Sequence, residues 1–379
     1  MRPALNPLLP RLAGYLQEKA NTQREAALKS GRPLYDFGIG DPREPTPEFI
    51  RNAFRNAIPE VSQYPSIAGL PALRQAVSAY LTRRFQLAVD PEREILPCAG
   101  AKEAIFHLPL IALNPEKPVC WYPDPAYPVY ERAILFANGT PRTYPLRAER
   151  SFLPDLDSIA AADWQKTSIW FDCYPHNPTG AGAPRSYHEK LLRLAQEHGF
   201  LVVADEPYVD LYVGEPPHSA LQVGRENLVV IHSLSKRSGM TGYRSGFIAG
   251  DPEIIRWLRE GRANFGVASQ GFVQQAAIAA WNDDAHVAAR REIFAQKRAV
   301  LLEHLRKLGL QVGGEGAFYL WVRVPAGETS ESYAARLAGR NILVVPGPQF
   351  GAEGQGFIRL AMVPTLEDCR AAVLAWPAS

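Results

Sequence analysis

Short apolar runs alternate with amphipathic stretches through the middle of the chain, and that alternation points to a fold class. Val119-Cys120-Trp121-Tyr122, Ser168-Ile169-Trp170-Phe171, Phe200-Leu201-Val202-Val203-Ala204 and Leu228-Val229-Val230-Ile231 are nearly continuous apolar segments of strand length. They predict strands buried on both faces. Between the second and third runs, Leu191, Leu192, Leu194 and Ala195 mark an amphipathic helix ended by His198-Gly199. Upstream, Gly69 and Pro71 open a segment in which Leu73, Val77, Leu81 and Phe85 recur at fourfold spacing, one buried helical face. The first forty residues read as helical, then extended, ending in Asp36-Phe37-Gly38-Ile39-Gly40-Asp41-Pro42. Strand then helix, repeated, predicts an α/β fold with a mostly parallel sheet covered on both sides.

The last third changes rhythm. A long helix from about Ala285 to Leu308 stops at Gly309. The extended segment Ala317-Phe318-Tyr319-Leu320-Trp321-Val322 follows, then a helix from about Ser330 to Ala338 and strands at Ile342–Val345 and Phe357–Leu360. This predicts a smaller α+β domain, residues 284–379 completed by 1–45, beside a large domain at 46–283. A chain that leaves one domain and returns to it makes a cleft that can close.

Composition narrows the function class. The 379 residues suffice for two domains, and a 46% hydrophobic content is that of a globular protein. A net charge of +2 without a long basic run gives no reason to expect nucleic acid. Cys98, Cys120, Cys173 and Cys369 are scattered with no C-x-x-C pair. That argues against a zinc site and a disulfide framework and fits a reducing compartment. The segment Met1-Arg2-Pro3-Ala4-Leu5-Asn6-Pro7 lacks the apolar core of a signal peptide, and no stretch is long enough to span a bilayer. The expectation is a cytoplasmic protein that acts on small molecules.

Candidate chemistry gathers where the strands end, the edge at which such sheets bind ligands. Lys236 lies in Ser233-Leu234-Ser235-Lys236-Arg237-Ser238-Gly239, directly after a buried strand, with Arg244 eight residues on. An amine partly out of water and near other cations has a lowered pKa and becomes nucleophilic. It can form a Schiff base with an aldehyde, and Ser233, Ser235 and Arg244 could hold a phosphate carried by that aldehyde. Asp205 ends another strand, where a buried carboxylate needs a cation such as a protonated pyridine nitrogen. Tyr208, three residues later, could donate to a ring oxygen. Asn177, in His176-Asn177-Pro178-Thr179-Gly180, stands past a third strand end, and Tyr127 past a fourth. Gly100 opens the helical stretch Ala101-Lys102-Glu103-Ala104, a place for backbone N–H groups to meet a phosphate. Arg359, on a strand of the small domain, could grip a carboxylate bidentately. Taken singly, each has an ordinary alternative: a surface lysine, a capping aspartate, a turn asparagine, a core tyrosine, a surface ion pair.

In their order these residues resemble one family along nearly the whole chain: the fold-type I, class I/II aminotransferases, which use pyridoxal 5′-phosphate. The matching elements are G-x-x-E-A at Gly100, Tyr127, N-P-T-G at Asn177, D-x-x-Y at Asp205, S-x-S-K at Lys236, Arg244, and Arg359 before Leu360-Ala361. Tyr64, in Gln63-Tyr64-Pro65-Ser66-Ile67-Ala68-Gly69-Leu70, is similar to the tyrosine that reaches the cofactor phosphate of a neighbouring subunit. Gly40 is similar to the substrate-side glycine of the cleft. The resemblance narrows to succinyldiaminopimelate aminotransferases of bacterial lysine biosynthesis through Ser233–Ser238, Gly242–Asp251, Ala280–Val287 and Phe318–Trp321.

This resemblance implies a homodimer with glutamate as amino donor. Lys236 would hold the cofactor aldehyde and move the proton, and Asp205 would pair with the ring nitrogen. Tyr127 would stack on the ring, while Asn177 and Tyr208 bond its oxygen. Gly100, Ala101, Lys102, Ser233, Arg244 and a partner's Tyr64 would hold the phosphate. Arg359, Asn177 and Gly40 would meet the substrate, with Arg43, Lys102 and Arg262 as candidates for its distal end. Ala101 departs from the serine common in that loop, which implies weaker cofactor retention. Rival readings are aspartate aminotransferase, a carbon–sulfur lyase using the same lysine and aspartate, and a cofactor-sensing regulator.

Overall fold

The computed structural model describes residues 6–8, 24–25, 27–29, 31–314, 316 and 318–377. Most of the helix expected before residue 24 lies outside the described residues, as does Ala317. In chain order the strands are β1 (Tyr35–Asp36), β2 (Ile95–Cys98), β3 (Val119–Asp124), β4 (Thr140–Pro145), β5 (Thr167–Asp172), β6 (Leu201–Asp205), β7 (Leu228–Ser233) and β8 (Gly246–Gly250). They continue with β9 (Val312–Gly313), β10 (Tyr319–Arg323), β11 (Ile342–Leu343), β12 (Val345–Pro346) and β13 (Phe357–Ala361).

Among the described residues the principal sheet has seven strands in the order β2-β8-β7-β6-β5-β3-β4. Strand β8 runs against both neighbours, and the remaining pairings are parallel. Every residue of β5, β6 and β7 is buried, as their continuous apolar sequences require. The four central strands expected from the apolar runs are therefore present and mostly parallel. Two neighbours have no such run. Strand β4 is an edge strand with Tyr144 as its buried residue, so its sequence is largely polar. Strand β8 begins and ends in glycine, and a Cβ on either would strike the backbone of β7, at His232 or Leu228. Glycine here marks close strand contact.

The predicted helices form where periodicity placed them. Pro71–Phe85 starts on a proline, buries Leu73, Val77, Leu81 and Phe85, and ends on Gln86 in the left-handed region. Arg185–His198 ends on Gly199 with φ +68°. Ala285–Lys307 runs to within two residues of Gly309, and Ser330–Ala338 has the expected limits. No helix among the described residues is long and apolar enough to cross a membrane.

The C-terminal strands form a separate antiparallel sheet, β12-β13-β10-β9. The single strand expected at Ile342–Val345 is instead two. Strand β11 pairs in parallel with β1 (Tyr35↔Ile342), whereas β12 pairs with β13 (Val345↔Arg359). The incoming segment explains the break: Phe37 N–H donates to Leu343 O at 2.8 Å, and Ala361 N–H donates to Phe37 O at 2.8 Å. Residues 35–37 are thereby stitched between the last strands, and Phe37 is fully buried in a second core with Phe318, Leu320 and Ile358. Gly38 to Asp41 is delivered from this junction toward the carboxyl ends of β5, β6 and β7.

Leu81 is fully buried in the core of the principal sheet. Leu81→Ala leaves a cavity under the sheet and lowers unfolding free energy by about 2–5 kcal/mol. Urea denaturation reads this as an earlier midpoint with an unchanged slope.

Candidate active site

A cavity of about 450 Å³ opens at the carboxyl ends of the parallel strands. Strands β6 and β7 supply its two decisive groups. Asp205 is the last residue of β6 and is 4% exposed. Tyr130 donates its hydroxyl to Asp205 Oδ2 at 2.7 Å, while Oδ1 is buried without a partner. Burial pushes the carboxyl up to about 7; the Tyr130 hydrogen bond opposes the shift and Glu206 adds to it. An orphaned acceptor facing a cavity fits a cationic N–H donor.

Strand β7 ends at Ser233, whose side chain accepts from Ser235 N–H at 3.2 Å and starts the one-turn helix Leu234–Arg237. That turn aims Lys236 into the cavity, where its Nζ donates to Gly40 O. Burial brings the amine down to about 8; Asp41 opposes the shift, and Arg244 and Arg359 reinforce it. The shift brings the neutral amine, the nucleophilic form, within reach near physiological pH.

The phosphate-type subsite is built as the glycine predicted. Gly100 caps the helix Ala101–Ala112 with φ +87°, and a Cβ there would lie 2.5 Å from Arg244 Nη2. Arg244 spans the opening, donating to Ala99 O at 3.1 Å and Thr241 O at 3.0 Å. Ala101, Lys102, Ser233, Ser235 and Arg244 line the cavity. At the opposite side Arg359 Nη1 donates to Asn177 Oδ1 at 3.1 Å and Nη2 to Gly38 O at 2.7 Å, leaving Nε buried without a partner. Its guanidinium lies over Tyr319 and Phe350, 4.5 and 4.6 Å from their ring centres. It is a buried cation aimed into the cavity, which sets aside the surface ion pair. Tyr127, Tyr208 and Gly40 complete the expected set in the lining.

Tyr64 is fully exposed and lies outside this cavity, so any contact with a cofactor must come from a second chain. Two of the three distal-end candidates are corrected. Arg262 is 1% exposed and held by Glu103 at 3.0 and 3.1 Å and Pro97 O at 2.7 Å, so it braces the loop before Gly100. Arg43 faces Asp368 at 3.8 Å, outside the lining, which leaves Lys102. Sequence reading missed Tyr130, Tyr319, Asp41 and Cys173, all in the lining. Tyr130 sits one turn after Tyr127, but its partner Asp205 is 75 residues away and no spacing announces it.

A family model for class I and II aminotransferases matches residues 32–375. The chain belongs to the class I and II aminotransferases. It is 38% identical over 363 residues to LL-diaminopimelate aminotransferase of Aquifex aeolicus, covering 93% of this chain and 94% of that one. It superposes on substrate-bound BacF of Bacillus subtilis with a TM-score of 0.91 at 28% identity, covering 98% and 97%. A probable N-succinyldiaminopimelate aminotransferase of Thermus thermophilus gives 0.88 at 29% identity, covering 95% and 99%. The aminotransferase uses pyridoxal 5′-phosphate, and the residues present fit that group. The orphaned Asp205 oxygen suits its ring nitrogen, the Gly100 cradle and Arg244 its phosphate, and Lys236 its aldehyde.

The raised Asp205 pKa has a testable sign. In the cofactor-free aminotransferase the folded carboxyl stays protonated up to about 7, whereas the unfolded one ionises from about 3.8. Its contribution to stability is full below 3.8 and is lost as pH rises through 7. Asp205→Asn removes that loss, so its stability relative to wild type climbs by up to about 4 kcal/mol between pH 4 and 8. Urea denaturation of the two cofactor-free proteins across pH measures the difference, and cofactor affinity moves the opposite way.

Proposed function

We propose that the chain exchanges the amino group of glutamate with a keto acid of the diaminopimelate series, the acceptor being N-succinyl-2-amino-6-ketopimelate. The observation that carries the chemistry is the Lys236 amine at about 8 sharing one cavity with the unpartnered Asp205 oxygen and the Arg359 guanidinium. Arg359 and Asn177 hold the substrate α-carboxylate, with Gly40 leaving room beside it. Lys236 Nζ takes the proton from the substrate α-carbon. Asp205 keeps a ring nitrogen protonated, Tyr127 covers the ring face, and Asn177 and Tyr208 bond the ring oxygen. Backbone N–H groups at Gly100, Ala101 and Lys102, with Ser233 and Arg244, hold the phosphate, joined by Tyr64 of a second copy. Bound pyridoxal phosphate supplies an aldehyde for the amino group and a ring that accepts electrons released from the α-carbon.

Cytoplasmic location, a homodimer, and the division into residues 46–283 and the flanking 1–45 with 284–379 belong to the same proposal. The separate sheets support the division. Support for the succinylated acceptor comes from the motif resemblance, from the likeness to the Thermus thermophilus protein, and from Lys102 as a cation in the cavity wall. A second reading, LL-diaminopimelate itself, is favoured by the Aquifex aeolicus relative and by Asp41 in the lining, a carboxylate that suits a free distal ammonium.

An acceptor panel with glutamate as donor decides between them. The expected result is a kcat/KM for the succinylated keto acid at least roughly tenfold above oxaloacetate, pyruvate or aromatic keto acids, a difference of about 1.4 kcal/mol in transition-state binding. Faster reaction of unmodified LL-diaminopimelate with 2-oxoglutarate supports the second reading. Preference for oxaloacetate reassigns the chain to aspartate amino transfer, and release of pyruvate from cystathionine to carbon–sulfur cleavage.

A further inference from the structure

Tyr319 was absent from the sequence-derived site, yet it lines the cavity. It is 2% exposed, and its oxygen lies 3.0 Å from the Tyr208 hydroxyl. The proton arrangement around these phenols follows from a chain of forced donors. Arg359 has only N–H groups to offer, so the Asn177 atom it meets at 3.1 Å is the carbonyl oxygen. The Asn177 amide nitrogen therefore faces Tyr208 and donates to its oxygen at 3.4 Å. Tyr208 keeps one proton and one further acceptor position. If Tyr208 gave its proton to Tyr319, none would remain for a ligand. If Tyr319 donates instead, Tyr208 accepts twice and turns its own proton into the cavity.

We infer that Tyr319 is a positioning residue: its hydroxyl donates to Tyr208 and thereby commits the Tyr208 proton to the ring oxygen of the cofactor. This deepens the proposed function and rests on Tyr208 meeting that oxygen. Two packing features keep the Tyr319 hydroxyl in place. The Arg359 guanidinium covers its ring at 4.5 Å, and Gly40 approaches so closely that a Cβ there would lie 2.8 Å from the hydroxyl oxygen. Accepting two hydrogen bonds polarises the Tyr208 O–H, which strengthens its bond to an oxygen anion. Stabilising the anion favours the deprotonated form of the bound cofactor's chromophore, so the pH midpoint of its visible absorbance change is lowered.

The test is an absorbance titration of the cofactor-loaded protein against pH for wild type, Tyr319→Phe, Tyr208→Phe and the double variant. Phenylalanine retains the ring that Arg359 covers, so Tyr319→Phe isolates the hydroxyl. The expected midpoint for Tyr319→Phe is raised by about half a unit to one unit, an effect of a single hydrogen bond. Tyr208→Phe is expected to raise it further, and the double variant to match Tyr208→Phe alone. An unchanged midpoint in Tyr319→Phe, or an equal Tyr319 effect with and without the Tyr208 hydroxyl, overturns the inference. Wild-type protein that shows no cofactor absorbance would instead defeat the reading of the site itself.

Discussion

Two ionisable groups held out of water at the ends of neighbouring parallel strands are the constraint on which the site depends. Desolvation raises the Asp205 carboxyl to about 7 and lowers the Lys236 amine to about 8, so each is driven toward its neutral form. A folded chain tolerates this only if the surrounding polar groups are satisfied elsewhere. Each of the two has a charged neighbour in sequence that is buried and satisfied. Glu206 accepts from Ala220 N–H at 2.7 Å and pairs with His232 at 2.9 Å. Arg237 pairs with Asp210 at 2.8 Å and Asp284 at 2.7 Å and donates to Ala280 O at 2.8 Å. At both strand ends one charge anchors the turn and the adjacent one is left open to the cavity.

The supports of the site come from distant parts of the chain. Asp210, which fixes Arg237, is itself shared with Arg84 at 3.0 Å and Tyr80 at 2.9 Å from the helix Pro71–Phe85. Glu103 joins Arg262, His107 and Ala99 N–H; although burial pushes its carboxyl up, these partners hold it below the ordinary value. That bracket fixes the loop leading to Gly100. Truncating any one of these partners would leave an uncompensated buried charge, whereas the complete networks are tolerated. The segment after β1 closes the opposite wall, because Gly38 O takes Arg359 and Gly40 O takes Lys236.

Much of this was legible in the sequence because it is local. Continuous apolar runs gave β3, β5, β6 and β7, fourfold spacing gave the helix holding Leu81, and polar residues just past the strand ends gave Asp205, Asn177 and Lys236. What stayed hidden depends on contacts between remote segments. Strand β4 is exposed at a sheet edge, and β8 is glycine-bounded because β7 lies against it. The split of residues 342–346 follows from Phe37 inserting between strands, which no local pattern encodes. Arg262 stands as a candidate for the substrate's distal end until Glu103, 159 positions away, is seen to hold it. Nothing local singles out Tyr130 or Tyr319, whose hydroxyls gain meaning only from Asp205 and Tyr208.

The bond between the cofactor aldehyde and the Lys236 amine is the central claim, and borohydride trapping tests it most directly. Protein incubated with pyridoxal 5′-phosphate, reduced, digested and mapped by mass spectrometry should carry one phosphopyridoxyl group, on the peptide containing Lys236. A colourless protein with Lys236 unmodified, or a label confined to another lysine such as Lys102, would contradict it.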